Sequence, residues 1–200
     1  MKKKYFVLLL SVLFASALAL AYLAFSILQD DKTASEERDF RPIFVTINPD
    51  AKTFDAEGNL IYSMKSKRSE YFKVSDLSSH ESPFVIGYDA PSGTKTWEAE
   101  GNTGIFNTDE FLTLSGNAKV RGFGLDENGG KIVLKGTVSS EHLQLDVNST
   151  DVSSTKLVTL TTPEGSHTEG LNFSGNLKDR KFTTKRDSHA LIQPENYNSN

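Results

Sequence analysis

From Phe40 to Leu191 apolar side chains recur at every second position in short runs, and turn residues separate the runs. Leu60, Tyr62 and Met64 follow "DAEGN"; Phe84, Ile86 and Tyr88 precede "DAPSG", with Trp97 and Ala99 after it. Leu112 and Leu114 lead into "SGN", Ile132 and Leu134 follow "DENGG", then come Leu143, Leu145 and Val147, and the pair Val158 and Leu160 before "TPEG". Alternate side chains of a strand point to opposite faces, so each run has one apolar and one mostly polar face. The pattern predicts an all-β domain of many short antiparallel strands. About 150 residues of such strands must pack face to face as a sandwich or roll into a barrel to bury the apolar stripe.

The alternation also names the inner face. Phe54, Tyr62, Phe84, Ile86, Tyr88, Trp97, Leu112, Leu114, Ile132, Leu134, Leu143 and Leu145 are expected to line the interior. A slip of one residue would turn a whole strand inside out. One stretch occurs twice: "LTLSGNAK" at Leu112 to Lys119 returns as "LNFSGNLK" at Leu171 to Lys178, with five of eight positions identical. Both copies read as a half-buried strand running into a bend.

The N-terminus is different in kind. Lys2, Lys3 and Lys4 precede 24 uncharged residues, Tyr5 to Leu28. As a helix this run would span about 36 Å, more than the roughly 30 Å hydrocarbon core of a bilayer. The lysines before it and Asp30 and Asp31 after it keep the N-terminus cytoplasmic. The small-residue triplets between Ala15 and Ala21 offer a competing reading as a cleaved signal peptide, but "YLAFSIL" carries the apolar run past them. The expected organisation is a cytoplasmic tip (1–4), a transmembrane helix (5–28), a polar linker (29–39), a β domain (40–192) and a polar tail (193–200).

Charge and composition narrow the function. With the three N-terminal lysines set aside, the formal net charge of −4 becomes −7, which disfavours nucleic acid as a partner. The absence of cysteine rules out disulfides, thiolate metal sites and a cysteine nucleophile, and favours a bacterial periplasmic domain over a eukaryotic secreted one. His80, His142, His167 and His189 lie far apart with no metal-ligand spacing. "SSTK" at Ser153 to Lys156 matches S-x-x-K without its companion motifs, and no carboxylate pair stands out as acid and base. No enzymatic activity, cofactor or metal site is expected.

The lysine-led anchor, the polar linker and the series "TFDAEGNLIYSMKSKRSEYF", "SPFVIGYD", "TWEAEG", "FLTLSGNAKV", "LQLDVNSTDVSSTKLVTLTT" and "EGLNFSGNLKDRKF" together resemble the LptC family, the bitopic component of the lipopolysaccharide export machinery. The resemblance implies a twisted, open β-jellyroll in which the two copies of the repeat are equivalent rungs. It implies an inner-membrane, single-pass protein with a periplasmic domain. It further implies that lipopolysaccharide arrives from an ABC transporter complex (LptB, LptF, LptG), leaves to soluble periplasmic LptA, and keeps its acyl chains inside the jellyroll. A tethered scaffold without a lipid cavity is the alternative, because a sandwich needs the same apolar side chains simply as core.

The stretch Leu171 to Thr184 is locally basic, with Lys178, Arg180 and Lys181, followed by Lys185 and Arg186. Charges on an edge strand protect it from aggregation. The resemblance implies instead that LptA docks here by strand addition, with Phe173, Leu177 and Phe182 supplying contacts near the join. For the N-terminus the expected outcome is a full-length chain that fractionates with the inner membrane; Edman sequencing that found a mature N-terminus near residue 20 would contradict the anchor.

Overall fold

The structure is a computed structural model that describes residues 41–191 except 108, 109, 127, 128 and 180; for 185–188 and 191 it describes the backbone. The anchor, linker and tail expected above lie outside the described residues. The described chain is all β. In order the strands are β1 (Phe44–Ile47), β2 (Asp50–Phe54), β3 (Leu60–Lys65), β4 (Arg68–Phe72), β5 (Leu77–Glu81), β6 (Phe84–Asp89) and β7 (Thr94–Glu100). They continue as β8 (Thr103–Asn107), β9 (Phe111–Leu125), β10 (Ile132–Asp146), β11 (Asp151–Ser154), β12 (Val158–Thr161), β13 (His167–Asn176) and β14 (Lys181–Leu191).

All fourteen belong to one antiparallel sheet, and the pairing shows how it doubles back. The first half of β9, Leu112–Ser115, pairs with β8, whereas Lys119–Gly122 pairs with β7. Likewise β10 pairs with β12 through Thr137–Ser140 and with β11 through Gln144 and Leu145. β13 divides in the same way between β12 and β11. One layer is therefore β1-β4-β5-β8 continued by one half of β9, β10 and β13 with β11; the other is β2-β3-β6-β7 continued by the remaining halves with β12.

The layers meet along a ridge where every rung changes layer. Successive rungs are stitched there by backbone bonds: Asn48 N–H donates to the Lys67 carbonyl (2.9 Å), Lys67 to Glu81 (2.9 Å), Ser82 to Asn102 (2.8 Å) and Asn102 to Gly116 (2.8 Å). The turn requires left-handed backbone, found at Asn48 (φ 50°), Ser82 (φ 48°), Gly116 (φ 72°), Asn117 (φ 51°) and Asn172 (φ 51°). Such a bend favours Gly and Asn, which supply most of these positions. At Gly116–Asn117 two residues of β9 oppose the single Glu141 of β10, a β-bulge that lets a 15-residue strand continue through the bend.

This separates the two copies of the repeat. In the first, Ser115-Gly116-Asn117 is the bend itself. In the second, Ser174, Gly175 and Asn176 lie in a regular ladder with β11, and the ridge is crossed earlier, around Gly170 to Asn172. The copies are not equivalent rungs, because the Ser-Gly-Asn that forms the bend in the first lies beyond the bend in the second.

The core lies between the layers. Leu112, Leu114, Leu143, Leu145, Val147, Val152 and Phe173 come from one layer and Val85, Trp97, Ala99, Ala118, Val120, Val138 and Val158 from the other, all buried. Ser66, Ser154 and His80 are the buried polar residues among those described; His80 on β5 is 3% exposed, its Nε2 lies 2.8 Å from the Ser78 hydroxyl and its Nδ1 has no partner. Burial holds the imidazole below its ordinary pKa of 6.5, so the fold favours the neutral ring. The unfolded chain then binds the proton more readily, and stability is expected to hold above about pH 6.5 and to fall as pH drops below it. Urea titrations from pH 7.5 to 5 should show this slope in the parent chain and a reduced one in His80→Asn; identical slopes would remove His80 as the cause.

Candidate functional site

Glycines on the inner face decide where space remains. Gly87 pairs directly with Trp97, and a Cβ at Gly87 would run into the indole. Gly175 pairs with Phe182 in the same manner, its face covered by the phenyl ring. An aromatic ring laid over a cross-strand glycine restores the packing that the glycine lacks. Gly122 and Gly136 also face each other in register on β9 and β10, but no aromatic covers them. A Cβ at Gly122 would meet only Leu177 Cδ2, at 3.9 Å.

Three cavities follow one another along the open side of the sheet, opposite the ridge. Near the N-terminal strands an open recess of about 250 Å³ is lined by Tyr62, Tyr71 and Phe106 together with the polar Asp76, Ser78, Asn107 and Glu110. Tyr71 donates its hydroxyl to Asp76 Oδ1 at 2.6 Å, which raises the phenol pKa because the hydrogen bond holds its proton. A middle cavity of about 350 Å³ has Tyr88, Pro91 and Trp97 on one side and Val147, Thr150 and Leu177 on the other, with Asp89 and Lys178 at its mouth. The third, about 270 Å³, is walled by Gly122, Gly136, Val138, Leu160, Leu177 and Phe182, with Lys135 and Thr162 as its polar members. The mainly apolar walls of the middle and third cavities suit a long hydrocarbon chain whose polar end stays in water, whereas the first recess is half polar.

The structure distributes the residues expected in the interior unevenly. Trp97, Leu112, Leu114, Leu143 and Leu145 are buried in the packed core. Tyr62 packs against that core beside Phe106, ring centroids 5.6 Å apart. Tyr88 borders the middle cavity but is corrected as an inward residue: its hydroxyl lies 3.4 Å from that of Ser63, which pairs with Ile86 on the other face. Phe84 and Ile86 are corrected: Val85 is the fully buried residue of β6, and Phe84 and Ile86 sit on the other face, paired with Glu100 and Glu98. The run Phe84-Val85-Ile86 is apolar throughout, so alternation could not choose between faces, and the inward Gly87 looked like an interruption of the true stripe.

Phe54, Ile132 and Leu134 are 54%, 45% and 36% exposed, not interior. A register shift between Thr53 and Phe54 ends the edge strand β2 at Phe54. The bulge at Lys135 flips Leu134 relative to Gly136, and the hairpin from Phe123 to Leu134 runs beyond the pairing of β7, which stops at Gly122, and of β12, which starts at Thr137.

The C-terminal trio is also turned inward. Phe173 is only 3% exposed and stacks on Phe182 at 5.7 Å, while Phe182 and Leu177 pack against the core. Their side chains face the interior and not the outside of the edge, where β14 presents backbone. Gly122, Gly136, Val147 and Leu160 are cavity residues that alternation did not single out as site residues. Paired glycines inside strands were the available signal, since glycine there marks a bulge or a close approach. Among the described residues, no group of three or more His, Asp or Glu could hold a metal ion.

Comparison with known proteins places this geometry. No curated protein sequence matches the chain. Among solved structures it is similar to that of LptH from Pseudomonas aeruginosa, described as the LptA-homologous periplasmic component of the conserved lipopolysaccharide transport device, with a TM-score of 0.53 at 13% identity, over 66% of this chain and 95% of that one. At that identity the likeness establishes the fold, a jellyroll of the LptA type. The model of the family described as lipopolysaccharide-assembly, LptC-related, matches residues 8–193, nearly the whole length. The chain belongs to the LptC-related family of lipopolysaccharide-assembly proteins.

Proposed function

We propose that this chain takes lipopolysaccharide from an inner-membrane ABC transporter, LptB with LptF and LptG, and passes it to soluble LptA while the acyl chains lie between its two layers. The observation that carries the reading is the adjoining pair of mainly apolar cavities, the middle and the third, on the open side of the sheet. Burying hydrocarbon there is favourable by about 25 cal/mol per Å² of apolar surface. The acidic exterior would repel an anionic head group, which stays outside. A single N-terminal helix would hold the domain at the inner membrane, N-terminus in the cytoplasm and β domain in the periplasm.

The two ends of the sheet suit different partners. β1 pairs only with β4, and its Phe44, Val45 and Ile47 are 54%, 41% and 61% exposed, an apolar edge next to the linker and so assigned to the transporter. β14 pairs only with β13 and runs eleven residues across both layers, which makes it the edge for LptA. Unpaired backbone on such edges accepts an added strand.

Photo-crosslinking in cells tests the lipid path. Benzoylphenylalanine at Tyr62 or Val147 is expected to give a lipopolysaccharide adduct, and adducts at neither position would favour the tethered scaffold. The polarity has a separate test. A chain ending at Asp179, which lacks β14, should lose capture of LptA and still co-purify with the transporter. LptA binding at the parent level, with β-sheet circular dichroism retained, would reverse the assignment.

A further inference from the structure

The third cavity differs from the others in being built around a missing side-chain pair. Gly122 and Gly136 oppose each other on the inner face, and neither has a backbone angle that demands glycine. At Gly122 a Cβ would find open room, with Leu177 Cδ2 at 3.9 Å; at Gly136 it would touch the Thr161 carbonyl at 3.4 Å and Leu160 at 3.9 Å. The glycines therefore leave a pit in the wall without a local conformational reason. Its floor is backbone, and its sides are Val138, Leu160 and Phe182.

The residue that reaches this pit comes from the opposite layer. Leu177 follows the last residue of β13 and is fixed by its own N–H, which donates to the Thr150 carbonyl at 3.1 Å. Its side chain is half-buried, and it walls both the middle and the third cavity. It thus stands between two apolar spaces of about 350 and 270 Å³.

We infer that the Gly122–Gly136 pit is an acyl-chain subsite, and that Leu177 is the residue that decides how far a chain extends from the middle cavity toward β14. The inference rests on the lipid-carrying reading above and adds to it a named boundary. The isobutyl group of Leu177 and the end of a lipid chain are chemically alike, so they compete for the same apolar surface. Shortening Leu177 gives the chain the space; filling the pit from Gly122 takes it away.

The test uses the full-length chain in cells, with benzoylphenylalanine at Val147 to report the middle cavity or at Phe182 to report the third, and adducts detected by antibody to lipopolysaccharide. Leu177→Ala should raise the Phe182 adduct several-fold and leave the Val147 adduct unchanged. Gly122→Leu should abolish the Phe182 adduct and spare that at Val147, which also shows that the protein is folded and loaded. Phe182 yields that neither substitution alters would overturn the subsite while leaving lipid transport standing. Absence of adducts at both positions in the unsubstituted chain would instead overturn the lipid reading itself.

Discussion

The ridge is the constraint on which the rest of the molecule depends. Each rung must pass from one layer to the other without breaking the hydrogen-bond ladder, and the chain does this with left-handed residues whose neighbours are bonded rung to rung, from Asn48 through Lys67, Glu81, Ser82 and Asn102 to Gly116. Because the layers are joined along this line, their apolar faces meet close to it and part beyond it. Val85, Ala99, Leu114, Ala118, Leu143 and Val158 all lie within two residues of a layer change and are buried. The cavity walls draw instead on the far turns, at Asp89–Pro91, Val147–Thr150 and Leu177. One bend thus produces both the core that stabilises the fold and the open side that gives it something to hold.

Period-two alternation made the strands legible, and composed turns such as "DAEGN" and "DAPSG" were found as turns: Gly58 N–H closes on the Asp55 carbonyl at 3.1 Å and Gly93 N–H on that of Asp89 at 2.8 Å. Face assignment was a harder problem. A bulge adds one residue and inverts everything after it, and neither Lys135 nor the shift at Phe54 announces itself in the sequence. In β6 the stripe that mattered contained a glycine, and scoring hydrophobicity alone gave it away to Phe84 and Ile86. Where no bulge intervened and both faces were distinct, as at Leu112 and Leu114 or Leu143 and Leu145, alternation found the core directly.

The cavities were less legible for a general reason. A core is written in the residues that fill it, whereas a cavity is written partly in the residues that do not. Trp97 over Gly87 and Phe182 over Gly175 show what the inner face does with a glycine when it closes the space. The Gly122–Gly136 pair becomes informative only against those two, once the register shows that the glycines face each other across adjacent strands. Leu177 is the complementary case. The family resemblance implied an edge contact for it, yet its N–H donates to the Thr150 carbonyl and its side chain packs against the core.

The ends of the sheet follow from the same bend. At the N-terminal end the edge is β1 in one layer and β2 in the other, with the change of layer at Asn48 between them. At the C-terminal end β14 runs beside both halves of β13, with a register shift between Glu169 and Leu171 where the ridge is crossed. Each edge is therefore a bent line of backbone, not a straight one. A straight strand from another chain could pair with only one of the two layers at a time. A strand that bends in step with the ridge could pair with both, and would then extend the two layers together and lengthen the open side between them. The backbone geometry that shapes the cavities thereby also restricts which strands can join them end to end, and ties the choice of partner to the path of the lipid.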